Sequence, residues 1–111
     1  MYYYHDKEDI QKLEENQAKL AKHLGKAAVA VIAMEECGEL IQALSKLWRN
    51  DNVANFTKKT ESELFMDLVE EVADVSACLE NIKLLYGISD DTIYEQRAKK
   101  LARSFERHNL K

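Results

Sequence analysis

The stretch Met34–Lys46, MEECGELIQALSK, decides how this chain is read. On a helix at 100° per residue, Val29, Ala33, Leu40, Ala43 and Leu47 form one apolar stripe. Glu36 falls in the middle of that stripe, with Glu39 about 60° off it. A helix that buries the stripe carries a carboxylate toward the core. An unpaired carboxylate there costs several kcal/mol or more, so a cation, a proton or a basic partner must meet it.

The same device recurs downstream in LVEEVADVSACLENIKLLYG, residues 68–87. Leu64, Leu68, Val75, Cys78, Leu79, Ile82 and Leu85 give a second apolar stripe at helical spacing. Glu71 sits at its centre, and Asp74 follows three residues on. In both stretches an i, i+3 carboxylate pair shares a helix face. If the two helices pack antiparallel, Glu36, Glu39, Glu71 and Asp74 converge. Four converging carboxylates repel strongly at low dielectric, so either some are protonated or divalent cations sit between them. All-oxygen ligands suit Mg²⁺ or Mn²⁺. Asp67, one turn before Glu71, is a neighbouring group or an exposed acid. Glu35 and Glu70 lie about 100° off their stripes, as flank ligands or surface charge. A single EExxE string is common on solvated helix faces; it is the pair, each centred on an apolar stripe, that points to a site.

Working outward, the spacing predicts four helices, near 7–24, 26–49, 60–87 and 89–107, and no strand. Ile10, Leu13, Gln17, Leu20 and Leu24 give the first a thin apolar stripe, and Gly25 is a plausible stop. Asn50–Asn55 reads as the clearest loop. Thr60 with Glu63 is a capping-box signature. Gly87 ends the third helix, and Ser89 caps the fourth, whose apolar face is Tyr94, Ala98, Leu101 and Phe105. Short connections imply an antiparallel four-helix bundle in one domain spanning 1–111. Met1–His5, with three tyrosines, reads as an arm packing on the bundle or on a neighbouring subunit.

Composition narrows the classes. The 111 residues are 46% hydrophobic and 32% charged, with three glycines and no proline, which favours helix. A net charge of −4 leaves no basic footprint for duplex nucleic acid. Cys37 and Cys78 match no zinc spacing and read as reduced core thiols. The longest apolar run, Ala27–Met34, is far short of the ~20 residues of a membrane span. Early acids at Asp6, Glu8 and Asp9 do not fit a signal peptide. The expectation is a cytoplasmic protein with neither nucleic-acid nor membrane partners. Arg97, Lys100 and Arg103 are candidate phosphate contacts, against the commoner role of solvated helix-end cations. Trp48 stacks on a base or caps the bundle. His5, His23 and His108 match no ligand spacing.

Residues 35–46, EECGELIQALSK, followed by 68–87 resemble the MazG-like branch of the all-α nucleoside triphosphate pyrophosphatase superfamily, whose pattern is Glu-x-x-Glu, a spacer, then Glu-x-x-Asp. YEQRAKKLARSFER, residues 94–107, is similar to that family's basic closing helix. The resemblance spans roughly residues 27–107, with a hydrophilic insert at Asn50–Glu61 lengthening the spacer. It implies a Mg²⁺-dependent enzyme, with Mn²⁺ as a substitute, that hydrolyses a nucleoside triphosphate to monophosphate and pyrophosphate. By motif match, Glu36, Glu39, Glu71 and Asp74 would be the metal ligands and catalytic acids. Lys100 and Arg103 would face the substrate, and a homodimer or homotetramer is implied. Two other classes compete. A di-iron carboxylate bundle needs Glu-x-x-His pairs, which are missing. A non-catalytic helical nucleotide-binding or regulatory protein would not need centred acids.

Overall fold

The computed structural model describes residues 6–111, which form three α-helices and no strand. These are α1 (Lys7–Asn52), α2 (Glu61–Tyr86) and α3 (Asp90–Arg107). The tyrosine-rich lead-in, Met1–His5, lies outside the described residues.

The first two expected helices are one element, α1, broken at Gly25 (φ +85°, ψ 169°). Side chains strongly disfavour that backbone conformation, so a glycine is required there. The break folds α1 back along α2. Beyond Gly25, the Lys26 ammonium lies 5.2 Å from the centroid of the Tyr86 ring. Before it, the Gln17 side-chain amide donates to the Ala77 carbonyl at 2.8 Å and to Asn81 Oδ1 at 3.2 Å. The segment before Gly25 therefore runs alongside α2 in the same direction, and the segment after it runs antiparallel.

Helix termini follow local chemistry. Asp6 accepts from the Asp9 backbone N–H at 2.9 Å. Thr60 and Glu63 form the reciprocal capping box. Gly87 closes α2 in the left-handed conformation, and Ser89 caps α3. The loop differs from expectation. α1 continues through Asn52, because the Asn52 amide donates to the Trp48 carbonyl at 2.9 Å and so satisfies itself on the helix. The connection begins at Val53, where Asn55 Oδ1 accepts from the Thr57 N–H at 2.8 Å.

The core is small: Ala21, Val29, Ala33, Ala43, Leu64 and Cys78 are buried. Several expected core positions are not. The segment before Gly25 turns Gln17 and Ala21 inward and leaves Ile10, Leu13 and Leu20 exposed. The inward side is centred between Gln17 and Ala21, so the helix is rotated off the expected stripe toward Ala21, which is fully buried. Leu79 is exposed, and so is Cys37, which is not a core thiol; only Cys78 is buried. α1 and α2 pack on each other, whereas α3 packs against neither. Tyr94, Leu101 and Phe105, the apolar face meant to close a bundle, are exposed. The Cα radius of gyration is accordingly 17.5 Å, against about 13 Å for a compact domain of this length.

Candidate metal centre

Glu36 lies one turn beyond the buried Ala33 on α1, and Glu71 lies between the buried Leu64 and Cys78 on α2. The antiparallel packing brings these two stripes together, and the acids with them. Glu36, Glu71 and Asp74 each offer a carboxylate oxygen within 4.8 Å of the others. Glu39 completes the group, close enough to act on both Glu36 and Glu71. Glu36 and Glu71 are half-buried, and Glu39 and Asp74 are exposed. The cluster thus has an inner pair and an outer pair, as the register of each stripe dictates.

No described basic side chain forms an ion pair with these four acids. Glu36 Oε2 and Glu71 Oε2 are buried and have no hydrogen-bond partner among the described residues. Burial, then the charges of Glu39 and Asp74, push the Glu36 carboxyl up to about 7. Glu71 is raised for the same reasons, partly offset by a hydrogen bond from Glu36. Near neutral pH Glu36 therefore exchanges a proton rather than standing fully ionised. Cys78 borders the cluster. Burial, followed by the charge of Glu36, raises its thiol, so it is a poor thiolate ligand.

A cluster of orphaned carboxylate oxygens with no cation of its own fits a hard divalent ion bound through oxygen. Hard ions also suit a donor set that contains no histidine. The other candidates are not drawn in. Trp48 is exposed on α1, twelve residues and roughly 18 Å along the helix from Glu36. Lys100 and Arg103 are on α3, which packs against neither acid-bearing helix. Asp67 is neutralised by Lys59 at 2.6 Å, which makes it a paired surface acid. Glu35 and Glu70 are exposed.

The spacing places Gln17 only as a member of the first apolar stripe, and the structure gives it a further role. Its signal was the one that marked Glu36, a polar side chain in the middle of an apolar stripe, and it proved to be the anchor of the N-terminal segment. Comparisons with protein-family models, with curated proteins and with solved structures find no match.

Proposed function

We propose that this protein hydrolyses nucleoside triphosphates, NTP or dNTP, to the nucleoside monophosphate and pyrophosphate, with Mg²⁺ or Mn²⁺ held by Glu36, Glu39, Glu71 and Asp74. The observation that carries this reading is the convergence of three carboxylates, Glu36, Glu71 and Asp74, from two antiparallel helices, with Glu39 acting on Glu36 and Glu71 beside them. Two buried oxygens of that group, on Glu36 and Glu71, have no partner among the described residues. The ordered Glu-x-x-Glu and Glu-x-x-Asp pairs, similar to those of the MazG-like pyrophosphatases, supply the reaction class.

Glu36 and Glu71 present the inner oxygens from half-buried positions. Glu39 and Asp74 stand at the solvent side, where a polyanion arrives. A divalent ion held there would neutralise triphosphate charge and make water more acidic. That also reconciles an acidic chain with an anionic substrate. Glu36, whose carboxyl is raised to about 7, would have to give up its proton to hold such an ion.

Lys100, Arg103 and Trp48 do not reach the acids within one chain. Their substrate roles depend on association into the homodimer or homotetramer that the resemblance implies. A cytoplasmic setting goes with this reading. No helix among the described residues is long and apolar enough to cross a membrane.

The test is incubation with Mg²⁺ and a panel of NTPs and dNTPs, separating monophosphate and pyrophosphate from diphosphate and phosphate. Monophosphate with pyrophosphate is expected. Diphosphate with phosphate, or no metal-dependent turnover on any nucleotide, overturns the assignment.

A further inference from the structure

The hydrophilic stretch between the two acid pairs, residues 50–61, ends against the helix that carries the second pair. Asn55 Oδ1 accepts from the Thr57 N–H at 2.8 Å and from the Thr57 hydroxyl at 2.7 Å. Thr57 Oγ1 in turn accepts from the Lys59 N–H at 3.1 Å, and the Asn55 amide donates to the Lys59 carbonyl at 2.7 Å. The Lys59 backbone is therefore held on both sides, immediately before the Thr60 cap of α2. Its ammonium reaches Asp67 Oδ2 at 2.6 Å, and the carboxylates of Glu63 and Glu70 also act on it.

This places a cation beside the acid cluster. Asp67, Glu71 and Asp74 follow one another at i, i+4 and i+7 on α2. Relative to the buried Leu64 and Cys78, Glu71 points inward, and Asp67 and Asp74 lie about 40° and 60° off that direction in one sense. Glu63 and Glu70 lie further round in the same sense. On α1, Glu39 lies about 80° off the direction of Val29, Ala33 and Ala43, again in that sense. Equal rotations on antiparallel helices lead to the same side of the pair, so Glu39, Asp74 and Lys59 border one opening. Along the α2 axis, Asp67 is about 6 Å from Glu71 and about 10 Å from Asp74. Lys46 follows Glu39 by seven residues and stands within about 20° of it, at the same end of the opening.

We propose that Lys59 is the phosphate contact of this site, its ammonium receiving the outer phosphates of a triphosphate whose inner phosphate rests at the acid cluster. The inference rests on the nucleotide reading above and adds a residue of the same chain, where Lys100 and Arg103 do not reach. An ammonium has three N–H donors, and Asp67 takes one of them. The Lys59 and Asp67 side chains are 50% and 34% exposed. An ion pair that open contributes little stability, so a phosphate competes readily for the cation. Lys83, by contrast, is held by Glu80 and Asp90 at the far end of α2. Three linked phosphoryl groups extend far enough to run from Glu71 to the level of Asp67.

The test is calorimetric binding of inorganic tripolyphosphate in Mg²⁺, with orthophosphate as the short comparison, on the parent, Lys59→Met, Lys59→Arg and Asp67→Asn. Lys59→Met is expected to weaken tripolyphosphate at least tenfold and to leave orthophosphate within twofold, with the helical circular dichroism signal retained. Lys59→Arg should bind within threefold of the parent. Asp67→Asn should bind as tightly as the parent or more so, because it frees the ammonium. A Lys59→Met protein that binds tripolyphosphate like the parent overturns the inference. So does an Asp67→Asn protein that loses as much as Lys59→Met, since the pair would then only anchor the loop, and so does a parent that binds no tripolyphosphate. Nucleotide hydrolysis is scored separately. A parent that binds tripolyphosphate through Lys59 and cleaves no nucleotide refutes the proposed reaction alone, whereas pyrophosphate release indifferent to Lys59 refutes this inference alone.

Discussion

Raising the pH from 6 to 8 should tighten Mg²⁺ binding about tenfold through Glu36 alone. The magnitude follows from the cluster. With its carboxyl at about 7, Glu36 is ionised in about one molecule in ten at pH 6 and about nine in ten at pH 8. A carboxylate must be ionised to ligate, so the apparent affinity tracks that fraction. Glu71, also raised, adds to the effect in the same direction. The metal-free protein should show the opposite sign. In the unfolded chain Glu36 titrates at the ordinary 4.5, and in the folded chain at about 7. Between those values the folded state binds more protons. Metal-free stability is therefore highest below pH 4.5 on this account and falls as pH rises through about 7. The assays are calorimetric Mg²⁺ titration at pH 6, 7 and 8 in buffers of different ionisation heat, which counts the protons released, and thermal melts in chelator across the same range. Glu36→Gln should flatten both dependences. Equal Mg²⁺ affinities at pH 6 and 8, with no proton release at pH 7, would refute the reasoning.

Three further outcomes are expected. Glu36→Gln, Glu71→Gln, Glu39→Gln and Asp74→Asn should each leave metal-free stability level or higher, because repulsion falls, while metal-dependent stabilisation weakens and turnover drops by orders of magnitude. Glu14→Gln should change neither, and melts with and without Mg²⁺ alongside turnover assays check the set. Gly25→Ala should cost about 1–3 kcal/mol in chemical denaturation. Its new methyl meets nothing within 4 Å, so the loss is the backbone conformation alone and should recur with other non-glycine residues. Thr60→Ala should lose about 1 kcal/mol by removing the Thr60 half of the α2 capping box. Urea unfolding at fixed ionic strength measures it.

Local chemistry was legible in the chain. The helical class, the Thr60–Glu63 box, the Ser89 cap and the stop at Gly87 each rest on contacts within a few residues. No distant partner is needed to decide them. The placement of Glu36 and Glu71 on inward stripes was readable too, because the stripe is a property of one helix. Readings that needed a partner did less well. Leu13 and Leu20 fit a helical stripe, yet the structure exposes both and buries Ala21 instead, because packing on α2 is centred to one side of that stripe. Cys37 is expected in the core from its helical setting, yet the structure exposes it, and only packing shows which face of α1 the chain itself covers.

By its sequence alone, the protein was determined to be helical, to break at Gly25 and to carry two acid pairs on apolar faces. Periodicity and backbone sterics act over a few residues, and a single chain contains all of that information. Tertiary structure decided the rest. It folded α1 back along α2, gathered carboxylates from both helices into one cluster, and left two carboxylate oxygens buried without a partner. It also left α3 unpacked and Met34, Ile41 and Leu44 of α1 exposed. These outcomes depend on how helices far apart in sequence are rotated against one another. That rotation is set by the sum of side-chain contacts across the interface, and a stripe on one helix does not specify its mate.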